Sequence, residues 1–286
     1  MIVFCEHGQL GNQVFQYAAL KTIAPSERIV LFGFDALGDT FDGIKAKRFF
    51  PGYGLRFRVA KRCLPVVERV IRATRLVTLI KERKETPRVD SRRGILNQVK
   101  YCSTSYFQSP EYFQPEALEG LAVQERHLAE ARQSLEQHLA NDDVPVFVHI
   151  RRGDYLKWPS RENPAVLPFR WYRDSMAEYA ERWPQTRFLI CTDDVPYAED
   201  LFSSMPCVTI CSKSLGHDFA LMTLCQGGIL SASSFAWWAT FFAKRNNATQ
   251  HFVAPNFWAG HRLAEWYPRH IKMSGVEYRP VEWGTV

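Results

Sequence analysis

The sequence predicts an α/β protein built from doubly wound, mainly parallel sheets, and three observations carry that reading. Short runs of β-branched and aromatic residues alternate with longer stretches of helical periodicity. The 286 residues exceed one typical domain and fit two of roughly 100 to 200 residues each. Charged and small polar residues collect where the strands end, the edge at which a parallel sheet presents ligand-binding groups.

The elements follow in order. Ile2 to Glu6 reads as a buried strand, Gly8 and Gly11 as a loop, Asn12 to Ile23 as a helix, and RIVLFG (28–33) as a second strand, a βαβ opening. Leu64, Val67, Ile71, Thr74, Val77 and Ile80 recur at helical spacing and predict one amphipathic helix reaching Ile80. A strand-like YCSTSYFQ (101–108) precedes a Glu-, Gln-, Ala- and Leu-rich helix from about Leu121 to Ala140. Asn141, Asp142 and Asp143 before Pro145 predict a domain boundary, giving domains 1–141 and 142–286. The second alternates strands at 145–150, 187–192, 207–211, 228–232 and 251–255 with helices at 169–183, 196–204, 217–226 and 234–244.

Composition narrows the class. With 46% hydrophobic and 23% charged residues the chain is an ordinary globular protein. No apolar run approaches the ~20 residues of a spanning helix, and the N-terminus lacks the features of a secretory signal, so the expected location is cytoplasmic. The sequon Asn247-Ala-Thr249 is then expected to be coincidental. Seven cysteines without a CxxC pair read as free, mostly buried thiols. Charge is uneven: 13 of the 36 lysines and arginines but only four of the 30 acids fall in 55–93, so that segment carries +9 and the rest −3. Two readings stand, a solvated basic face on a docked helix, or peripheral contact with an anionic inner-membrane surface through 55–93. No recognition motif accompanies the charge, so no nucleic acid partner is expected.

Four stretches could carry chemistry. VFVHIRRGDY (146–155) ends a buried strand in His149, Arg151, Arg152 and Asp154. His149 and Arg151 project to one face, and a guanidinium fork suits a phosphate, although a structural ion-pair network is the alternative. HGQLGNQVF (7–15) puts two glycines before a helix N-terminus, where backbone amides favour an anion; a tight turn capped by Asn12 explains it as well. SASSFAWW (231–238) runs from a strand into an aromatic helix, suiting phosphate or ordinary capping by its serines. Trp237 and Trp238 read as core. Asp193 and Asp194 in CTDD end another strand as a candidate helix cap. No DxD run, HExxH, Cys/His cluster or GxSxG is present, so no metal or other cofactor is expected.

Taken together, HGQLGNQVFQYA, SYFQSPEYF, VHIRRGDY, CTDD, HDFALMTLC, LSASSFAWW and APNFW resemble the bacterial α1,2-fucosyltransferases of glycosyltransferase family 11, over residues 8 to 258. The resemblance implies a GT-B type architecture of two Rossmann-like doubly wound domains, an acceptor-side N-terminal domain and a C-terminal domain binding GDP-fucose. It also implies an inverting transfer to O2 of a terminal galactose on an oligosaccharide or lipid-linked glycan. By matching position, Arg151 resembles the arginine that grips the β-phosphate, His149 and Asp218 the guanine contacts, and Ser233, Ser234 and Phe235 the phosphate loop. Gly11 and Asn12 resemble the N-terminal loop closing on the donor. Arg152 is the second guanidinium of the motif. Ala232 and Ala236 depart from the Asn and Ser common in relatives. Asp154 is the first candidate for general base, with Glu162, Glu6 and His7 as alternatives.

Overall fold

The computed structural model describes residues 1–50, 52, 54–83, 85–246 and 251–283, so the sequon at 247–249 lies outside the described residues. The chain divides into two compact units, Met1–Ala122 and Val123–Val286.

The first unit contains β1 (Ile2–Cys5), α1 (Leu10–Ile23), β2 (Ile29–Phe32), α2 (Asp35–Thr40), β3 (Phe41–Asp42), β4 (Lys47–Phe49), α3 (Leu55–Thr74), β5 (Val77–Glu82), β6 (Val89–Arg92) and β7 (Leu96–Cys102). Its sheet runs β4-β2-β1-β7-β5-β6, parallel except for β6. Helix α1 is buried on nearly all sides, which explains its apolar sequence LGNQVFQYAAL. It begins at Leu10, so Asn12 lies inside its first turn rather than at its cap, and only Gly8, at φ +81°, makes the turn from β1.

The helix expected to continue to Ile80 stops at Thr74. Arg75 adopts the left-handed conformation (φ 52°) and its amide closes on Ile71 O. VTLI then forms β5, with Thr78 and Ile80 buried on one face. Val77 and Ile80 fit a three-residue spacing, but β-branched residues alternating at period two serve a strand better. The strand expected at 101–108 lies earlier, as β7, because Lys100 and Tyr101 take their register beside Ile2 and Val3.

After β8 (Ala122–Val123), the second unit comprises α4 (Glu125–His138), β9 (Val144–Ile150), α5 (Phe169–Arg182), β10 (Thr186–Thr192), α6 (Val195–Phe202), β11 (Val208–Ile210), α7 (Leu215–Leu224), β12 (Gly227–Ile229), α8 (Ser234–Asn246), β13 (His251–Pro255) and β14 (Glu277–Arg279). The boundary therefore falls at 122/123 instead of 141/142. Helix α4 packs on α7, where Ser134 Oγ lies 2.9 Å from His217 Nε2 and accepts from Lys213 Nζ at 2.8 Å. The Asn-Asp-Asp stretch is a turn into β9: Asp143 accepts from Ala140 N at 2.8 Å and pairs with Arg187 at 2.9 Å.

All six strands of this unit's sheet are parallel, in the order β11-β10-β9-β12-β13-β14. Counted within the unit, that order is 3-2-1-4-5-6, the doubly wound Rossmann arrangement. Val146, Val148, Ile150, Ile190 and Val253 face α5 and α6 through Trp171, Tyr172, Met176 and Phe202, forming one side of the core. The chain reverses winding direction between β9 and β12, and a crevice opens beyond the strand C-termini at such a point.

Candidate active site

The switch point of the second unit is where the HIRRGD segment ends. Strand β9 brings His149 to its C-terminal edge, fully enclosed, and His149 Nδ1 lies 2.6 Å from Ser231 Oγ, just beyond β12. The two strand ends are also joined by Ser231 N donating to His149 O at 3.1 Å. Burial first, and the Arg151 charge second, push the imidazole down to about 3, so it is neutral throughout the ordinary pH range.

Arg151 carries two carboxylates. Its Nε and Nη2 donate to Asp154 Oδ1 at 3.1 and 2.7 Å, while Nη1 pairs with Asp193 Oδ2 at 3.1 Å. Those partners differ in kind. Asp193 is also tied to the backbone, its Oδ1 accepting from Arg152 N at 2.8 Å, whereas the Asp154 side chain is 63% exposed. An exposed pair of that sort is weak and exchangeable, so an incoming anion with more charge can replace Asp154. Gly153 makes the cluster compact: a β-carbon there would sit 2.5 Å from Asp193 Oδ2.

Arg152 is anchored separately. Its Nε donates to Asp194 Oδ2 at 3.0 Å and its guanidinium lies 3.5 Å from the centre of the Tyr197 ring. Asp194 at the same time caps α6, accepting from Tyr197 N at 3.3 Å. The two arginines therefore do not form one paired fork. Arg151 stands at the edge, and Arg152 braces the turn against α6.

Tyr155 links Arg151 to the loop before α8. Arg151 lies 5.6 Å from the Tyr155 ring, and the phenol, pushed up by burial, donates to Ala232 O at 2.9 Å. Because the bond uses a backbone carbonyl, alanine at 232 still makes it. Ser233 then caps α8, its Oγ accepting from Phe235 N at 3.3 Å and its carbonyl from Trp237 N at 2.9 Å. Ser234 and Phe235 are half-buried beside it, and the first turn of a helix offers amides to an anion. The Phe235 ring lies 5.5 Å from His149 and 5.4 Å from Phe219, next to Asp218, so these groups share one apolar wall. Asp218 Oδ1 accepts from Lys213 N at 3.0 Å and lies 2.8 Å from His217 Nδ1. Trp237 and Trp238 are core, Trp237 Nε1 donating to Ile271 O at 2.8 Å.

The structure thus gathers His149, Arg151, Asp154, Ser233 and Phe235 at one strand edge, with Ser234 beside them and Asp218 behind Phe219. Ser231 lies in the stretch expected to meet phosphate or cap a helix, but its hydroxyl meets His149 instead. Asp193 was signalled only by the CTDD stretch, as a candidate cap, and nothing local marked Tyr155 as a partner. Glu162 is exposed in the following loop. Among the described residues no three His, Cys, Asp or Glu side chains converge as a metal site.

In the first unit, Gly11 is buried within α1 and Asn12 Oδ1 accepts from Gln108 Nε2 at 2.7 Å. Glu6 is committed, accepting from Gln13 Nε2 and Phe34 N, each at 2.7 Å. His7 Nε2 lies 3.0 Å from Thr104 Oγ1, and burial, then Lys61, hold its imidazole below the usual range.

Comparison with known proteins identifies relatives and a shared fold. An O-antigen biosynthesis glycosyltransferase, WbnK, of Escherichia coli is 28% identical over 99 residues, 33% of this chain and 33% of that protein. A mouse galactoside alpha-(1,2)-fucosyltransferase 2 is 24% identical over 151 residues, 50% of this chain and 43% of that protein. An E. coli alpha-1,2-colitosyltransferase is 29% identical over 119 residues, 40% of each. The chain thus spans less than half the length of these curated relatives. In fold it is similar to the alpha-1,6-fucosyltransferase NodZ co-crystallised with GDP (TM-score 0.51, 15% identity, 84% of this chain and 92% of that one). It is likewise similar to POFUT1 in complex with GDP-fucose (TM-score 0.50, 10% identity, 98% of both). Both likenesses place the architecture in the GT-B type. The model of glycosyl transferase family 11 matches residues 89–269, well over half of the sequence and the whole HIRRGD cluster, and the chain belongs to that family.

Proposed function

We propose that this protein transfers L-fucose from GDP-fucose to O2 of a terminal galactose, on an oligosaccharide or lipid-linked glycan of surface-polysaccharide synthesis. Supporting this are the family, relatives named as alpha-(1,2)-fucosyltransferases, and solved proteins of the same fold holding GDP or GDP-fucose. The observation that carries it is Arg151 at the switch point, held by one carboxylate that is also bonded to backbone and by one exchangeable carboxylate, beside the capped start of α8.

In the proposed reaction the acceptor O2 attacks C1 of fucose from the face opposite the diphosphate. The bond from C1 to the β-phosphate oxygen breaks, its electron pair leaves with GDP, and the O2 proton passes to a base. Configuration inverts. Negative charge growing on the β-phosphate meets Arg151 and the α8 amides, groups already oriented before the bond breaks. Asp193 keeps Arg151 aimed; Asp154 yields its place to the phosphate and so acts as an orienting group rather than the base. Neutral His149, Asp218 and Phe235 form the nucleoside side of the site. Arginine and helix amides suffice for the charge, so the reaction needs no divalent ion.

The alpha-1,2-colitosyltransferase among the relatives favours a second reading in which the donor is another GDP-sugar. Incubating the chain with GDP-fucose, GDP-colitose, GDP-mannose and UDP-galactose, with galactose-terminated disaccharides and with or without chelator, separates the readings. The proposal expects GDP release and a new α1,2 linkage from GDP-fucose, unchanged by chelation. Faster turnover of a different donor gives the second reading, a chelator that stops the reaction removes the metal-free mechanism, and no GDP release from any donor makes the site a binding module.

A further inference from the structure

Helix α3 presents three stripes to three environments. Phe57, Ala60, Leu64, Glu68 and Ile71 form its packed side. Leu55, Val59, Val66, Val67 and Val70 fall on another side at helical spacing and are exposed, Leu55 at 77% and Val66 at 61%. Arg58, Arg62 and Arg69 run between the two, also exposed. The apolar stripe does not end with the helix. Ile95 N and Leu96 N donate to Arg75 O and Leu76 O at 2.9 and 2.7 Å, which brings Ile95 (78% exposed), Leu96 and Leu76 to its C-terminal end. Arg75, Arg92 and Arg93 surround that end. The acid of the helix, Glu68, is turned to the packed side, where Tyr101 OH and Thr104 N donate to it at 3.3 and 3.2 Å.

So many exposed large apolar side chains on one helix and the turn bonded to its end are rare on a water-facing surface. Their arginine border selects the occupant. Two copies docked face to face about a two-fold axis would bring arginine rows together, and a nucleic acid would leave the valines in water. An anionic bilayer satisfies both stripes, with valines among the acyl chains and guanidinium groups among the headgroups. No helix among the described residues is long and apolar enough to cross a membrane, so the contact is with a surface. We propose that α3 and the turn at 92–96 dock the protein on an anionic phospholipid bilayer, with the helix lying in the interface.

Sedimentation of the full chain with phosphatidylcholine vesicles, alone or with phosphatidylglycerol, tests this without any sugar nucleotide, so the result is independent of the proposed transfer. Binding is expected only to the phosphatidylglycerol vesicles and is expected to weaken with salt. Replacing Arg58, Arg62 and Arg69 by Gln should lower partitioning by roughly fivefold per arginine. Val66→Asp with Val70→Asp should abolish it. All these sites are exposed, so thermal unfolding and GDP release in solution should stay as in the unaltered chain. Absence of binding to phosphatidylglycerol vesicles, equal binding to neutral ones, or a dimer that the Val→Asp pair dissociates overturns the proposal. The lipid comparison uses the unaltered protein and decides even if a variant misfolds.

Discussion

Each unit has its first sheet strand, β1 or β9, near the centre of a mainly or wholly parallel sheet, and each such strand leads into a charged group, yet the two ends are built differently. At the end of β1, Glu6 is 1% exposed and its carboxylate serves the fold: it binds the amide of Phe34, held at φ 62°, and the Gln13 side chain. At the end of β9, Arg151 sits half-buried between Asp193, itself bonded to backbone, and the largely exposed Asp154. Glu6 is held closely by two groups inside the fold, with the 41% exposed Lys61 farther off at 3.6 Å; Arg151 keeps a partner at 2.7 Å that is 63% exposed. The contrast teaches that location in a Rossmann-like sheet nominates a site, while the exchangeability of the charge decides whether it can receive a ligand.

The largest expected effect tests the open end. On the proposed mechanism, Arg151→Ala removes a charge-assisted contact to the leaving phosphate worth about 3 kcal/mol, so kcat/KM for GDP-fucose should fall about a hundredfold. Thermal unfolding should barely move, because the lost ion pairs are partly exposed. Near-full turnover by the folded variant would break the comparison. The closed end should respond the other way. Glu6→Leu takes the acceptor from the Phe34 amide and leaves Gln13 Nε2 with the longer bond to Gly8 O at 3.5 Å, and should cost about 2 kcal/mol of stability, read in urea unfolding. Activity per folded molecule should persist; lost turnover with intact stability would instead place Glu6 in the chemistry.

Sequence made one half of this contrast readable. VFVHI is a continuous β-branched and aromatic run, so β9 and the residues at its tip followed from pattern, as did the alternation through β13. Asp193 did not follow. Its two-residue CTDD context fits a helix cap, which Asp194 is, and only pairing of β10 beside β9 puts Asp193 against Arg151. The bracing of Arg152 was not legible, because its Tyr197 and Asp194 partners are more than 40 residues away. Val77 and Ile80 misled for a local reason, since a three-residue spacing is shared by a helix and a strand with one extra apolar residue. The early domain boundary was hidden because α4 is amphipathic on its own, and its choice of α7 as neighbour is a tertiary fact.

His149 offers a smaller effect and a signed one. Its pKa falls from 6.5 to about 3 on folding, so below pH 6.5 the unfolded chain binds a proton that the folded chain refuses. Its contribution is therefore full above about pH 6.5 and is lost as pH falls toward 3, at about 1.4 kcal/mol per pH unit. His149→Asn should flatten the acid limb of stability against pH by that slope relative to the unaltered chain. If the two curves stay parallel between about pH 6 and 4, the imidazole is not the enclosed neutral group described above.

The smallest effect is expected at Asp154. Asparagine keeps an oxygen able to accept from Arg151 but drops the charge, and a partner that is 63% exposed contributes little to begin with. If Asp154 only orients Arg151 until the diphosphate arrives, Asp154→Asn should change kcat less than about fivefold and should lower KM for the donor, since a neutral group is easier to displace than an anion. A general base replaced by asparagine behaves differently: kcat would fall by about a hundredfold or more, and the acid limb of its pH profile would vanish. Comparing kcat and KM separately across pH distinguishes these outcomes, and a large loss in kcat alone would move Asp154 from the exchangeable partner of Arg151 to the proton acceptor of the reaction.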